Sequence, residues 1–467
     1  MLFNSLNFLV FFPTVIIIYF SLNYKYRNIF LLIASYYFYM NWKPVYAILI
    51  LFSTVTTWLS GFLMERQKNR KKVFLIISLI INFSILFLYK YFDFLNQIVF
   101  DILDNLHIKY EIVNLDILLP VGISFYTFQA VGYTIDVYRK DIKHEPSIIN
   151  YALFVSFFPQ LIAGPIERAK NILAQFRELK ILTKENLFGG LKLMLWGYFL
   201  KLVLADRLGV YVDAVFNNIE NHNGSSILLA SILFAFQIYG DFAGYSLIAI
   251  GTAKIMGFDL MTNFIRPYFA TNITAFWRRW HISLSTWFRD YLYIPLGGNR
   301  GSKLKNNFNL FITFFISGIW HGANYTFVIW GALHGFYLIL EKKFAIKQVK
   351  SKNFLMRLFP IIITFILVDL AWIFFRANSL SDAFLAITQI FTTAGENLFI
   401  KGDVLLGSII ALLILFIKEF KDEFFENKYR FLSNSNPYIS ASFSVLLFSI
   451  ILLLGVFDSG QFIYFQF

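Results

Sequence analysis

Apolar residues run along this chain in long blocks, at 8–22, 46–64, 73–89, 187–204, 227–250, 311–340, 359–375, 405–417 and 439–456. A helix that crosses a bilayer needs about 20 such residues, and several blocks approach or exceed that length. With shorter and interrupted blocks included, the pattern predicts an all-α polytopic membrane protein. About eleven transmembrane helices are expected, together with re-entrant helices.

Composition agrees. Hydrophobic residues make up 58% of the 467 positions and charged residues only 15%, against about 25% charged in globular domains. The first block has no basic residues ahead of it and no small-residue cleavage site, so it is expected to stay as a span. Much of the +13 net charge falls in short connections, with Lys25 and Arg27 after the first block and a basic run at 65–72. Cytoplasmic loops collect Lys and Arg, which places both connections inside and the N-terminus outside. Topology therefore accounts for the charge, and no nucleic-acid partner is expected.

The chain has no cysteine, which excludes disulfides, thiolate metal sites and a cysteine thioester. Covalent acyl carriage would have to use oxygen or nitrogen. The histidines at 107, 144, 222, 281, 321 and 334 show no metal-ligand spacing, so no metal is expected. Nucleophile elbows, phosphate loops and dinucleotide motifs are also absent from the sequence.

Neither repeats nor linkers divide residues 1–467, which read as one domain. The ends look like plain spans. From about 115 to 341, however, the apolar background is interrupted by Gly, Pro and polar residues, as at 120–129, 158–168 and 237–246. Polar or non-helical backbone at membrane depth survives only where protein or a water-filled cavity surrounds it. The middle of the chain is therefore the expected catalytic core.

Within that core, residues 311–340 carry no formal charge. One straight helix of that length would measure about 45 Å, longer than the hydrocarbon core of about 30 Å. Gly318, Gly322 and Asn324 offer a break, with His321 inside it. One reading makes His321 a structural histidine bonded to a neighbouring helix. The other makes it a general base, since burial favours the neutral imidazole that accepts a proton near pH 7.

Residues 276–290 are rich in Trp and Arg. At about 100° per residue, Ser285 and Arg289 fall within about 20° of Arg278, which predicts an amphipathic helix ended by Pro295 and Gly297-Gly298. Its arginines either anchor an interfacial helix or bind the phosphates of an anionic ligand. Asp241 is expected to pair structurally, because a carboxylate at a span centre costs roughly 3 kcal/mol. Lys201, Asp206 and Arg207 read as a charge cluster, and Glu167 with Arg168 as loop-fixing residues. The aromatic tail 461–467 is either a membrane anchor or an inserted segment presenting the Tyr464 hydroxyl.

Residues 276–300 (FWRRWHISLSTWFRDYLYIPLGGNR) and 317–324 (SGIWHGAN) closely resemble membrane-bound O-acyltransferases. The similarity is to the bacterial branch that O-acetylates alginate, peptidoglycan and other polysaccharides. Residues 120–129, 163–168, 237–246 and 263–268 also look like that branch. The resemblance implies that His321 is the central histidine, that His281 is its companion, and that Asn324 and Trp320 belong to the same motif. It implies acetyl-CoA as donor, bound by Arg278, Arg289, Arg300 and Trp320, with no metal. The tail is similar to one whose tyrosine is thought to carry the acyl group in D-alanylation relatives, which makes Tyr464 a candidate relay. That branch fits less well at Arg278, where a different residue is expected.

The resemblance further implies a bacterial inner-membrane protein in contact with membrane lipid, its helices set around a central funnel or tunnel. A periplasmic esterase-like (SGNH-type) partner would then pass acetyl to a polysaccharide acceptor. The rival class is a transporter or flippase for an envelope saccharide precursor, which also needs broken helices and buried charge.

Overall fold

A computed structural model describes residues 1–112, 115, 117–162, 164–395, 402–425 and 436–457. Tyr464 and the tail 461–467 lie outside the described residues. Among the described residues the secondary structure is entirely helical. Six helical segments among the described residues are long and apolar enough to cross a membrane: Pro44–Arg66, Lys68–Lys90, Lys184–Phe216, Gly224–Ile255, Phe354–Arg376 and Pro437–Leu454. Leu6–Ser21, Ile148–Leu161 and Leu380–Thr392 are shorter apolar helices. The expected figure of about eleven is not reached by this tally. Several apolar blocks fold as helices under 18 residues or, like 311–340, as a pair divided by a break.

The chain forms two compact units, Met1–Leu187 with Ala253–Met261, and Phe188–Thr252 with Thr262–Phe467. In the first unit, buried polar side chains replace the hydrophobic driving force that lipid cannot supply between helices. Ser53 Oγ donates to Asn82 Oδ1 at 2.6 Å, and Tyr151 donates to Thr57 Oγ1 at 2.7 Å. The Lys68–Lys90 segment is largely uncovered by protein, with 17% of its apolar window buried, as suits a helix facing lipid.

The Gly224–Ile255 helix, which belongs to the second unit as far as Thr252, is 72% buried over its apolar window. It packs backbone to backbone on the segment before it. A Cβ on Gly197 would stand 2.7 Å from the Gly244 carbonyl oxygen, and one on Gly244 would stand 2.8 Å from that of Gly197. Only glycine permits this approach. Beside it the chain widens into a π-helical stretch at Phe199–Ala205, a local insertion often found at special sites. Lys201, inside this stretch, bonds both Asp206 and Asp241 at 2.7 Å. The partner of Asp241 is thus a lysine: Lys201 and Asp206 of the predicted cluster join Asp241 in a buried triad, whereas Arg207 donates to the Leu454 carbonyl instead.

Candidate functional site

The uncharged run divides where its glycines suggest. Helix Lys303–His321 ends on His321, and helix Tyr325–Lys343 starts after three intervening residues. The two halves pack closely as neighbours. A Cβ on Gly318 would fall on the Phe327 carbonyl oxygen and 3.0 Å from Gly331 Cα. Asn324 serves the break itself: its Oδ1 accepts from Thr326 N at 3.0 Å, and its Nδ2 donates to the Asn378 carbonyl at 3.0 Å. A helix start needs such a cap for its orphan N–H groups.

The Trp/Arg segment departs from expectation. In place of one amphipathic helix there is a short turn of helix at Ile273–Trp277, a break, and a second at Ile282–Phe288 running into a π-turn at Arg289–Tyr293. The break is His281, at φ 42° and ψ 55°. An L-residue there turns the chain off the helical path, so Arg278 is cut off from the face that Ser285 and Arg289, four residues apart, still share. Arg278, Arg289 and Arg300 are nonetheless exposed, Arg289 with Asp290 as its ion-pair partner at 2.7 Å. Arg279 points elsewhere, into a buried ion cluster.

The left-handed turn leaves His281 fully buried. Its Nδ1 lies 3.2 Å from Asn263 Oδ1, an oxygen that also accepts from Ser283 N at 3.2 Å and Ser283 Oγ at 2.9 Å. Asn263 Nδ2 donates to Ser246 Oγ at 3.2 Å, and the Ser283 backbone N–H, which can only donate, assigns the amide orientation. Because an amide oxygen only accepts, Nδ1 carries the proton and Nε2 is the basic nitrogen of His281. The Phe242 ring stands edge-on, 4.6 Å from the imidazole.

His281 and His321 both pack against Trp320, with ring centroids 6.2 Å and 5.0 Å away. His321 also meets Trp330 at 4.8 Å and Phe375 at 5.3 Å. Trp330 in turn meets His334 at 4.9 Å. Imidazole and indole rings therefore alternate from His281 to His334, every one of them buried. Trp277 Nε1 donates to His334 Nδ1 at 3.3 Å, so the proton of His334 sits on Nε2, the reverse of His281. Among the described residues no group of three or more His, Asp and Glu side chains is placed to hold a metal.

Of the predicted site residues, the structure brings His281, Trp320 and His321 together. It places Asn324 beside them as a cap and leaves the three arginines at the surface. Sequence reading missed Asn263 as the orienting partner and His334 as a third buried ring. The first sits in the recognisable stretch 263–268. The second shares a helical face with Trp330, four residues before it.

Residues 137–380 match the MBOAT, membrane-bound O-acyltransferase family. The chain is 39% identical over 387 residues to the protein named probable alginate O-acetylase AlgI of Pseudomonas aeruginosa, covering 82% of this chain and 73% of that one. It is 36% identical over 417 residues to the peptidoglycan O-acetyltransferase of Helicobacter pylori, covering 82% and 78%. The teichoic acid D-alanyltransferase of Bacillus subtilis is 29% identical over 287 residues, covering 59% and 70%.

Proposed function

We propose, because the chain belongs to the membrane-bound O-acyltransferase family, that it moves acetyl from acetyl-CoA toward an extracytoplasmic polysaccharide such as alginate or peptidoglycan. The relatives named for these two acceptors share more of their length and sequence with this chain than the D-alanyltransferase does. The observation that carries the reading is the shared packing of His281 and His321 on Trp320, with Asn263 setting the basic nitrogen of His281.

Acetyl-CoA would approach from the cytoplasm, its phosphates held by Arg278, Arg289 and Arg300. These are exposed guanidiniums of the kind that bind phosphate in bidentate fashion. His321 removes the proton from an acceptor hydroxyl as its oxygen attacks the thioester carbonyl. The oxygen–carbon bond forms, the carbon–sulfur bond breaks, and the thiolate recovers the proton from the imidazolium. Basic Nε2 of His281 is the second group suited to hold that proton. Water exclusion by the surrounding indole and phenyl rings protects the thioester from hydrolysis. Tyr464 is the candidate acyl relay, and an SGNH-type partner the candidate carrier to the glycan.

The test is transfer of labelled acetyl from acetyl-CoA by protein purified in detergent, with mass spectrometry for acetyl on Tyr464. His321→Ala is expected to abolish transfer while the protein stays folded. Undiminished transfer in that variant would overturn the assignment. Saccharide translocation without label uptake would favour the flippase reading instead.

A further inference from the structure

Helix Gly402–Phe424 carries Glu423 at its end, outside both histidine motifs, yet this carboxylate reaches the backbone that shapes the site. Its side chain is 4% exposed and takes three guanidiniums: Arg266 Nε at 2.7 Å, Arg279 Nη2 at 2.9 Å and Arg357 Nη2 at 2.6 Å. Glu423 lies beyond the apolar block 405–417. Burial pushes its carboxyl up, but the bonds from Arg279, Arg266 and Arg357 outweigh that and hold it at about 2. Arg357 is fixed in turn by the Phe269 carbonyl at 2.8 Å.

Two of these arginines belong to two passes of chain that run side by side. Ile265 N donates to the Arg279 carbonyl at 2.9 Å, and Ile282 N donates to the Asn263 carbonyl at 3.0 Å. Arg279 Nη1 also donates to the Arg266 carbonyl at 3.3 Å. One pass presents Asn263 and the other His281. Each holds a non-glycine residue in the left-handed region, Arg266 and His281, both at φ 42°. L side chains keep that conformation only where their surroundings over-determine it. A single buried anion bonded to both passes supplies such a constraint from a distant part of the sequence.

We propose that Glu423 is a positioning residue for the histidine site. By tethering Arg266 and Arg279 it holds the two passes in the register that sets Asn263 Oδ1 against His281 Nδ1. The activity arm of its test rests on the acetyl-transfer reading; the structural arm does not.

Glu423→Gln keeps the side-chain volume and removes the charge. It is expected to lower kcat for acetyl transfer about tenfold or more while KM for acetyl-CoA stays within about twofold. Hydrogen exchange in 263–283 should quicken while that in 303–343 stays at its wild-type rate. Glu423→Asp should recover most of kcat. In a double-mutant cycle the losses from Glu423→Gln and Asn263→Ala should be clearly less than additive, since both act on one contact.

Unchanged kcat, additive losses, or a raised KM at full kcat would overturn the proposal, the last by making the arginines a donor-phosphate site. Where Glu423→Gln does not fold, Glu423→Asp carries the exchange and kinetic measurements, with a smaller loss expected in the same direction. Should the wild type transfer no acetyl, the acyltransfer reading fails by itself. The tether is then judged on exchange alone, and unaltered exchange at 263–283 in Glu423→Gln overturns it.

Discussion

His281 donates from Nδ1 to the Oδ1 of Asn263 across 3.2 Å, so an amide rather than a carboxylate orients this buried imidazole. An amide selects the tautomer and the ring orientation without adding negative charge to the pocket. The Ser283 N–H and hydroxyl bond the same oxygen, locking the acceptor as firmly as the donor.

Replacing Asn263 by Ala removes this control. Acetyl transfer is expected to fall by about 10²-fold or more, the range assigned to a positioned acid–base group, at equal amounts of folded protein. A rate within a factor of about two of wild type would remove Asn263 from the site. Asn263→Asp, which keeps an acceptor facing Nδ1, should fall less.

The pair of helices that meet at His321 depends on Gly318. A methyl there collides with the Phe327 carbonyl, and Gly331 offers no slack because its own Cβ would stand 2.5 Å from the Phe314 carbonyl. Gly318→Ala should cost about 1–3 kcal/mol through overpacking and reduce activity by displacing His321. Thermal unfolding in detergent measures this, and a wild-type midpoint would show that the helices part without cost.

Lys201 bonds Asp206 and Asp241 in the interior. Lys201→Met leaves two buried carboxylates without their cation, a change worth about 3–5 kcal/mol when one partner of a buried pair is lost. Folded yield should collapse. The triple variant Lys201→Met, Asp206→Asn, Asp241→Asn should regain much of it, because no uncompensated charge then remains. Equal yields for the single and triple variants would contradict this electrostatic account.

Glu167 lies in the loop between helices Phe158–Leu161 and Ala169–Gln175, outside the spanning helices. Burial raises its carboxyl from 4.5 to about 7, against hydrogen bonds from the Met261 and Arg168 backbone and the Arg168 charge. The fold therefore favours the protonated form. That stabilisation is complete below pH 4.5 and is lost as pH rises through about 7. Thermal midpoints of the wild type should fall between pH 6 and pH 8 through this group, and Glu167→Gln should flatten the curve. Parallel curves for the two proteins would assign the pH dependence elsewhere.

The membrane class and the break at His321 were legible in the linear sequence, because lipid and helix length impose local rules. A long apolar block must be a helix, and two glycines near the middle of an overlong uncharged one mark where it divides. The resemblance of 276–300 and 317–324 to known acyltransferases named the two histidines without any coordinates. Periodicity failed at the same segment, predicting one amphipathic helix through 276–290. It assumes that every residue keeps helical φ and ψ, and His281 does not.

What tertiary structure alone decided was which residues act on that histidine. Asn263 stands 18 positions before His281, and Glu423 stands 144 beyond Arg279. Neither spacing carries a signal in one dimension. Hydrogen bonds and buried ion pairs are short-range in space and indifferent to separation along the chain. The sequence could therefore declare the glycine hinge at His321, while the nitrogen of His281 that bears its proton was settled only when distant passes of backbone came together.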